Sequence, residues 1–170
     1  MFRRMENIMK PKKIATYGLL VALAFILSYI ESLFLLPVPV PGIKVGLANL
    51  VVITALFVMG VKEAFVLSII RIILVGFTFG NPSTMLFSLA GGLLSVILMI
   101  IFQKSKKLSI VGVSIIGGVS HNIGQILMSI IIVDNINIAY YLPILLISGA
   151  ITGTVIGILG SIIVKRLKDI

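Results

Sequence analysis

The chain has 170 residues, of which 59% are hydrophobic and 11% charged, with a mean hydropathy of +1.27 and a formal charge of +9. A soluble domain of this size leaves too much of its chain at the surface to hide so much apolar material, so the composition excludes a water-soluble globule and points to lipid. The absence of cysteine excludes disulfides, iron–sulfur clusters and thiolate zinc sites, and with one histidine and five acids neither a metal nor a cofactor is expected.

A membrane helix needs about 20 mostly apolar residues. Six such runs follow one another, over roughly 14–36, 45–60, 62–79, 83–103, 108–133 and 140–164. They predict an all-α integral membrane protein, a bundle of six transmembrane helices making one membrane domain over residues 1–170. The first run is too long for a signal-peptide core and lacks a small-residue cleavage site, so it reads as a retained helix. Near its end stands Glu31. Along it runs Gly18-xxx-Ala22, small residues that let a partner helix approach closely.

Between the first two runs lies PVPVPGIKVGLANL. Pro37, Pro39 and Pro41 alternate, and each fixes φ and removes a backbone donor. The second run is about 16 residues, or about 24 Å at 1.5 Å per residue, which is short for a bilayer. The strap is therefore expected to fold over the end of the bundle as a gate made of Pro37, Pro39, Pro41 and Gly42. Lys44 then hangs at the mouth and Asn49 sits in the first turn of helix 2. A merely rigid outer turn is the plainer alternative.

The third run holds Arg71 near its middle, too far from either end to snorkel. An ionisable group there is costly and marks a site by default. Arg71 either contacts an anionic ligand or pairs with Glu31 or helix-end carbonyls. Asn81 precedes Pro82 and is expected to cap helix 4, which carries the small stripe Ser88, Gly91, Gly92 and Ser95. In helix 5, Gly118, His121, Asn122, Gln125 and Ser129 share one face at helical spacing. This face is either a pocket wall or a set of interhelical hydrogen bonds. Helix 6 carries Gly149-xxx-Gly153-xxx-Gly157, a packing seam.

Twelve of the 14 Lys and Arg residues fall before helix 1, between helices 2 and 3, between helices 4 and 5, or after helix 6. By the positive-inside rule both termini are cytoplasmic. Basic clusters placed between apolar runs also argue for topology rather than nucleic-acid binding. The two aspartates, Asp134 and Asp169, form no magnesium motif, and there is neither a phosphate-binding glycine loop nor a nucleophile–base pair. No catalytic activity is expected.

The segments LPVPVPGIKVGLANLVVITALF, RIILVGFTFGNPSTMLFSLAGGLLS, GGVSHNIGQILMS and YYLPILLISGAITGTVIGIL resemble the Gx transporter family, also labelled heptaprenyl diphosphate synthase component I. That family in turn resembles the substrate-binding S components of energy-coupling factor transporters. The resemblance implies a multi-pass protein of a prokaryotic plasma membrane that binds a vitamin-like or anionic small molecule at its outer side. It implies a transmembrane coupling subunit, met through Gly18, Ala22 and Ala24, and cytoplasmic ATPases as partners. The residues expected to bind substrate are Glu31, Lys44, Asn49, Arg71, His121, Asn122 and Gln125. Two alternatives stay open: a membrane accessory subunit of polyprenyl diphosphate or quinone synthesis, and a stand-alone secondary transporter.

Overall fold

Apolar residues surround most of these helices on every side, and such helices are stable only when buried in protein or bathed in lipid. The computed structural model describes residues 11–33 and 46–168. Within them the regular elements are all helical: α1 (Pro11–Leu33), α2 (Asn49–Val58), α3 (Val61–Thr78), α4 (Pro82–Ser105), α5 (Ile110–Val133) and α6 (Leu142–Lys168). A short 3-10 helix, Ile136–Tyr141, leads into α6. Pro37, Pro39, Pro41, Gly42 and Lys44 lie outside the described residues, so the expected gate does too.

Four described segments are long and apolar enough to cross a membrane, one each in α1, α4, α5 and α6. α3 has 18 residues but includes Lys62, Glu63 and Arg71. α2 is shorter than expected, with 10 residues, or about 15 Å. The shortening has local causes. Gly46 adopts a positive φ of 84°, and residues 47–48 form a turn before the helix begins. At the other end the N–H groups of Met59 and Gly60 both donate to the Ala55 carbonyl. Gly60 then takes φ 120°, which disfavours any side chain and turns the chain directly into α3. Asn81 caps α4 as expected: its side chain accepts from the Thr84 N–H at 2.9 Å, and Thr84 Oγ1 accepts from the Asn81 N–H at 3.0 Å.

α2 is the centre of the molecule. Its residues Val51 to Leu56 are buried in succession, and it packs against α1, α3, α4 and α6. Ala24, Leu67, Val96, Met99, Val113 and Ile156 complete the core around it. α5 lies between α4 and α6, and the glycine stripes explain how closely. A Cβ added at Gly153 would stand 2.7 Å from the Ile115 Cα, and one at Gly157 2.7 Å from the Val111 Cα. On the opposite flank, a Cβ at Gly124 would stand 2.7 Å from the Ala90 carbonyl oxygen. Backbone meets backbone along both seams, the packing small residues permit in lipid.

The outside of the bundle is apolar. Phe77 is 79% exposed, Ile131 72% and Leu19 69%. In water such a surface is an aggregation hazard; against acyl chains it is the ordinary surface of a membrane protein, with which these helices are compatible. On α1, Gly18 and Ala22 are exposed, as a partner-facing stripe requires, but Ala24 is fully buried in the core. Ala24 therefore belongs to internal packing and not to the outward stripe.

Candidate binding site

The site is built where α1 ends, α2 begins, α3 ends and α4 begins. Phe79 fastens this end of the bundle by packing against Phe25 and Tyr29 of α1, each at 5.5 Å between ring centroids. Gly80, the next residue, borders a cavity of about 20 Å³. Glu31 and Ser28 of α1, Asn49 of α2, Arg71 of α3, Thr84 and Ser88 of α4, and His121 of α5 all line it. Four of the residues expected from the sequence (Glu31, Asn49, Arg71 and His121) thus converge from four helices. Each of Glu31, Arg71 and His121 is more than nine-tenths buried.

Polar contacts run from Glu31 through Gly46 and Asn49 to Arg71. The Glu31 carboxylate accepts a hydrogen bond from the Gly46 N–H, which fixes the entry to α2. Asn49 folds back beside Gly46, where an added Cβ would lie 3.2 Å from the Asn49 Nδ2. Asn49 Oδ1 accepts from Arg71 Nη2 at 3.4 Å, a long bond. Among the described residues the Arg71 Nε has no hydrogen-bond acceptor, and neither buried Ser28 Oγ nor Ser95 Oγ has a partner. The Glu31 carboxylate lines the same cavity as the guanidinium. Arg71 is therefore a buried cation with donor capacity to spare, in surroundings that strengthen every electrostatic contact.

The polar face of α5 is divided by its neighbours rather than presented to one space. His121 faces the Arg71 cavity and also a second cavity of about 10 Å³ between α5 and α6, lined as well by Asn49, Ser114, Asn122 and Thr152. The Asn122 side chain donates to the Leu145 carbonyl of α6 at 2.6 Å, so it ties two helices together while bordering this second space. Gln125 lines neither cavity. Its side chain packs on α4, where a Cβ at Gly91 would stand 2.8 Å from the Gln125 Cγ. Ser129 back-bonds to the Gln125 carbonyl at 2.8 Å.

Ser28, Thr84 and Gly46 were not singled out from the sequence, and Ser88 was read only as a packing residue. The serines of a membrane helix carry no periodic signal that separates a pocket from a packing face. Met85 also borders the cavity and covers Gly76: a Cβ at Gly76 would meet its Cγ and Sδ at 2.6 Å. A cavity needs about 10–15 Å³ on this measure for one water-sized group. Larger occupants require the walls to part, and the flexible Met85 thioether is the wall least costly to move.

Fold and site together define a class: an all-helical protein with lipid-compatible helices and a buried polar cavity, centred on an arginine, at one end of the bundle. The chain belongs to the heptaprenyl diphosphate synthase component I family, whose profile it matches over residues 20–163. No curated protein and no solved structure gives a significant match.

Proposed function

We propose that this chain is the membrane-embedded substrate-binding component of an ATP-driven uptake transporter of energy-coupling factor type, specific for an anionic or vitamin-like small molecule. The observation that carries the reading is Arg71: a buried guanidinium facing a cavity, held among the described residues by one long bond to Asn49 and with its Nε unmatched there. Charge-assisted bonds to such a group are among the stronger polar contacts a protein makes. An anionic group on the substrate would accept from Arg71 and Ser28, while Asn49 and His121 orient it. Glu31 holds the start of α2 through the bond it accepts from the Gly46 N–H.

The distribution of basic residues supports six crossings with both termini in the cytoplasm. In this reading α2, buried among its neighbours, and the charged α3 at the edge of the bundle complete the six. The chain is not an enzyme and holds no energy-converting motif, so it works with partners. The exposed Gly18 and Ala22, the former with nothing within 4 Å of an added Cβ, offer a close-approach face for a transmembrane coupling subunit, which cytoplasmic ATPases drive.

The family description favours a second reading, a membrane accessory subunit of polyprenyl diphosphate synthesis. Affinity purification from native membranes separates the two. Recovery of ATPase subunits, with uptake abolished by Arg71→Gln, supports the transporter. Recovery of a soluble prenyl synthase whose activity rises on adding this chain supports the accessory subunit and rejects the transporter.

A further inference from the structure

Three spaces in this bundle lie in a row. The Arg71 cavity and the α5–α6 cavity share Gly46, Asn49 and His121. The α5–α6 cavity shares Thr152 and Ile156 with a third space, a cleft of about 140 Å³ among α1, α2 and α6. Leu27, Leu50, Val155 and Leu159 wall this cleft, and among the described residues that line it Thr152 is the one polar residue. Its α6 wall reaches the outer surface, where Val155 is 53% and Leu159 44% exposed. The row therefore runs from a buried cation, through a neutral polar neck, to an apolar trough on the side that meets lipid. The partition is thin. Gly46 contributes no side chain to it, and Ile156 Cδ1 lies 3.9 Å from where a Cβ at Gly46 would be. A small hydrophilic anion would use only the first of these spaces, about 20 Å³, and would leave the roomiest of the three without a role.

We propose that the ligand of this site is an anionic amphiphile: its charged head meets Arg71, and its apolar chain lies in the cleft between α1 and α6. This rests on the reading of the Arg71 cavity as a ligand site. A phosphate or a carboxylate supplies the same chemistry to a guanidinium, two or more acceptor oxygens with negative charge. The chain is recognised by apolar packing alone, at about fourfold in affinity for each methylene moved out of water. Rotation of the Ile156 side chain opens the neck between head and tail.

The test uses the full chain in lipid nanodiscs, with binding to empty nanodiscs subtracted. Farnesyl monophosphate, palmitate, farnesol and dimethylallyl monophosphate are titrated against it. A tailed anion should bind at least tenfold tighter than dimethylallyl monophosphate, which has the phosphate but ten fewer carbons. Whichever of farnesyl monophosphate and palmitate binds tighter identifies the head. Val155→Phe and Leu159→Phe, surface substitutions that fill the cleft, should remove most of that advantage and leave dimethylallyl monophosphate unchanged. Arg71→Gln should weaken both tailed anions at least tenfold. The proposal is overturned if dimethylallyl monophosphate binds as tightly as the tailed anions and the cleft variants are silent; the Arg71 site then stands without a tail groove. Farnesol binding equal to that of farnesyl monophosphate, unaffected by Arg71→Gln, also overturns it and makes the cleft a seat for bilayer lipid. If no anion binds and Arg71→Gln changes nothing, the proposal and the reading of the cavity fall together.

Discussion

Replacing Arg71 by Met tests whether this cation is there for the fold or for a ligand. The two roles predict opposite signs. If Arg71 and Glu31 were a structural pair, removing one partner would leave an uncompensated buried charge and cost about 3–5 kcal/mol. The geometry argues otherwise. Among the described residues Arg71 makes one hydrogen bond, 3.4 Å long, and its buried Nε has no acceptor. An unsatisfied buried donor costs about 1–3 kcal/mol, whereas a good neutral hydrogen bond returns only about 1 kcal/mol. Glu31 meanwhile keeps its bond from the Gly46 N–H when the arginine is gone. Methionine fills a similar volume with a flexible apolar chain. Arg71→Met should therefore leave the ligand-free protein as stable as before or raise stability by about 1 kcal/mol. For a chain of this length that corresponds to a rise of about 2–4 °C in Tm. The assay is thermal unfolding of the purified chain in nanodiscs, run beside Glu31→Gln and the double variant. The reasoning fails if Arg71→Met lowers stability by about 3 kcal/mol or more and adding Glu31→Gln restores it, because that coupling is the mark of a structural ion pair.

Topology is open to direct measurement, since the chain has no cysteine of its own. A single cysteine at Asn137 should be labelled from outside intact cells, and one at Ser105 only after the membrane is opened; the reverse pattern inverts the bundle. The α5–α6 seam predicts that Gly153→Val costs about 3 kcal/mol or more, because the new side chain would drive into the Ile115 backbone. Gly18→Val meets nothing within 4 Å and should leave folding unchanged while weakening association with a coupling subunit, as read by co-purification. Asn122→Ala removes the bond to the Leu145 carbonyl and should cost about 0.6–1.7 kcal/mol in unfolding experiments, with a smaller effect on ligand affinity than Arg71→Gln.

Much of the helix pattern was legible because apolar runs of membrane length, broken by Gly, Pro and basic clusters, have few other uses. α3, α4 and α5 begin and end within a few residues of where the pattern places them. The main departure, α2, turns on Gly46 and Gly60, whose positive φ values no hydropathy pattern contains. The site was legible in part. Arg71, Glu31 and His121 stand out because burying an ionisable side chain is costly, and that cost is a property of the residue type. Gln125 shows the limit of the same reasoning: it shares a helical face with His121, yet α4 covers it.

The sequence alone determines that this chain is helical, lipid-compatible and supplied with a few polar groups that must find company inside it. Composition and spacing suffice for that, because hydropathy and helical period are local quantities. Only the tertiary structure decided which of those groups meet. By setting α5 between α4 and α6 on glycine seams, it split one polar stripe three ways: His121 to the Arg71 cavity, Asn122 to α6 and Gln125 to α4. Contact between helices depends on which backbones can approach, and that is settled by complementary surfaces far apart in the chain.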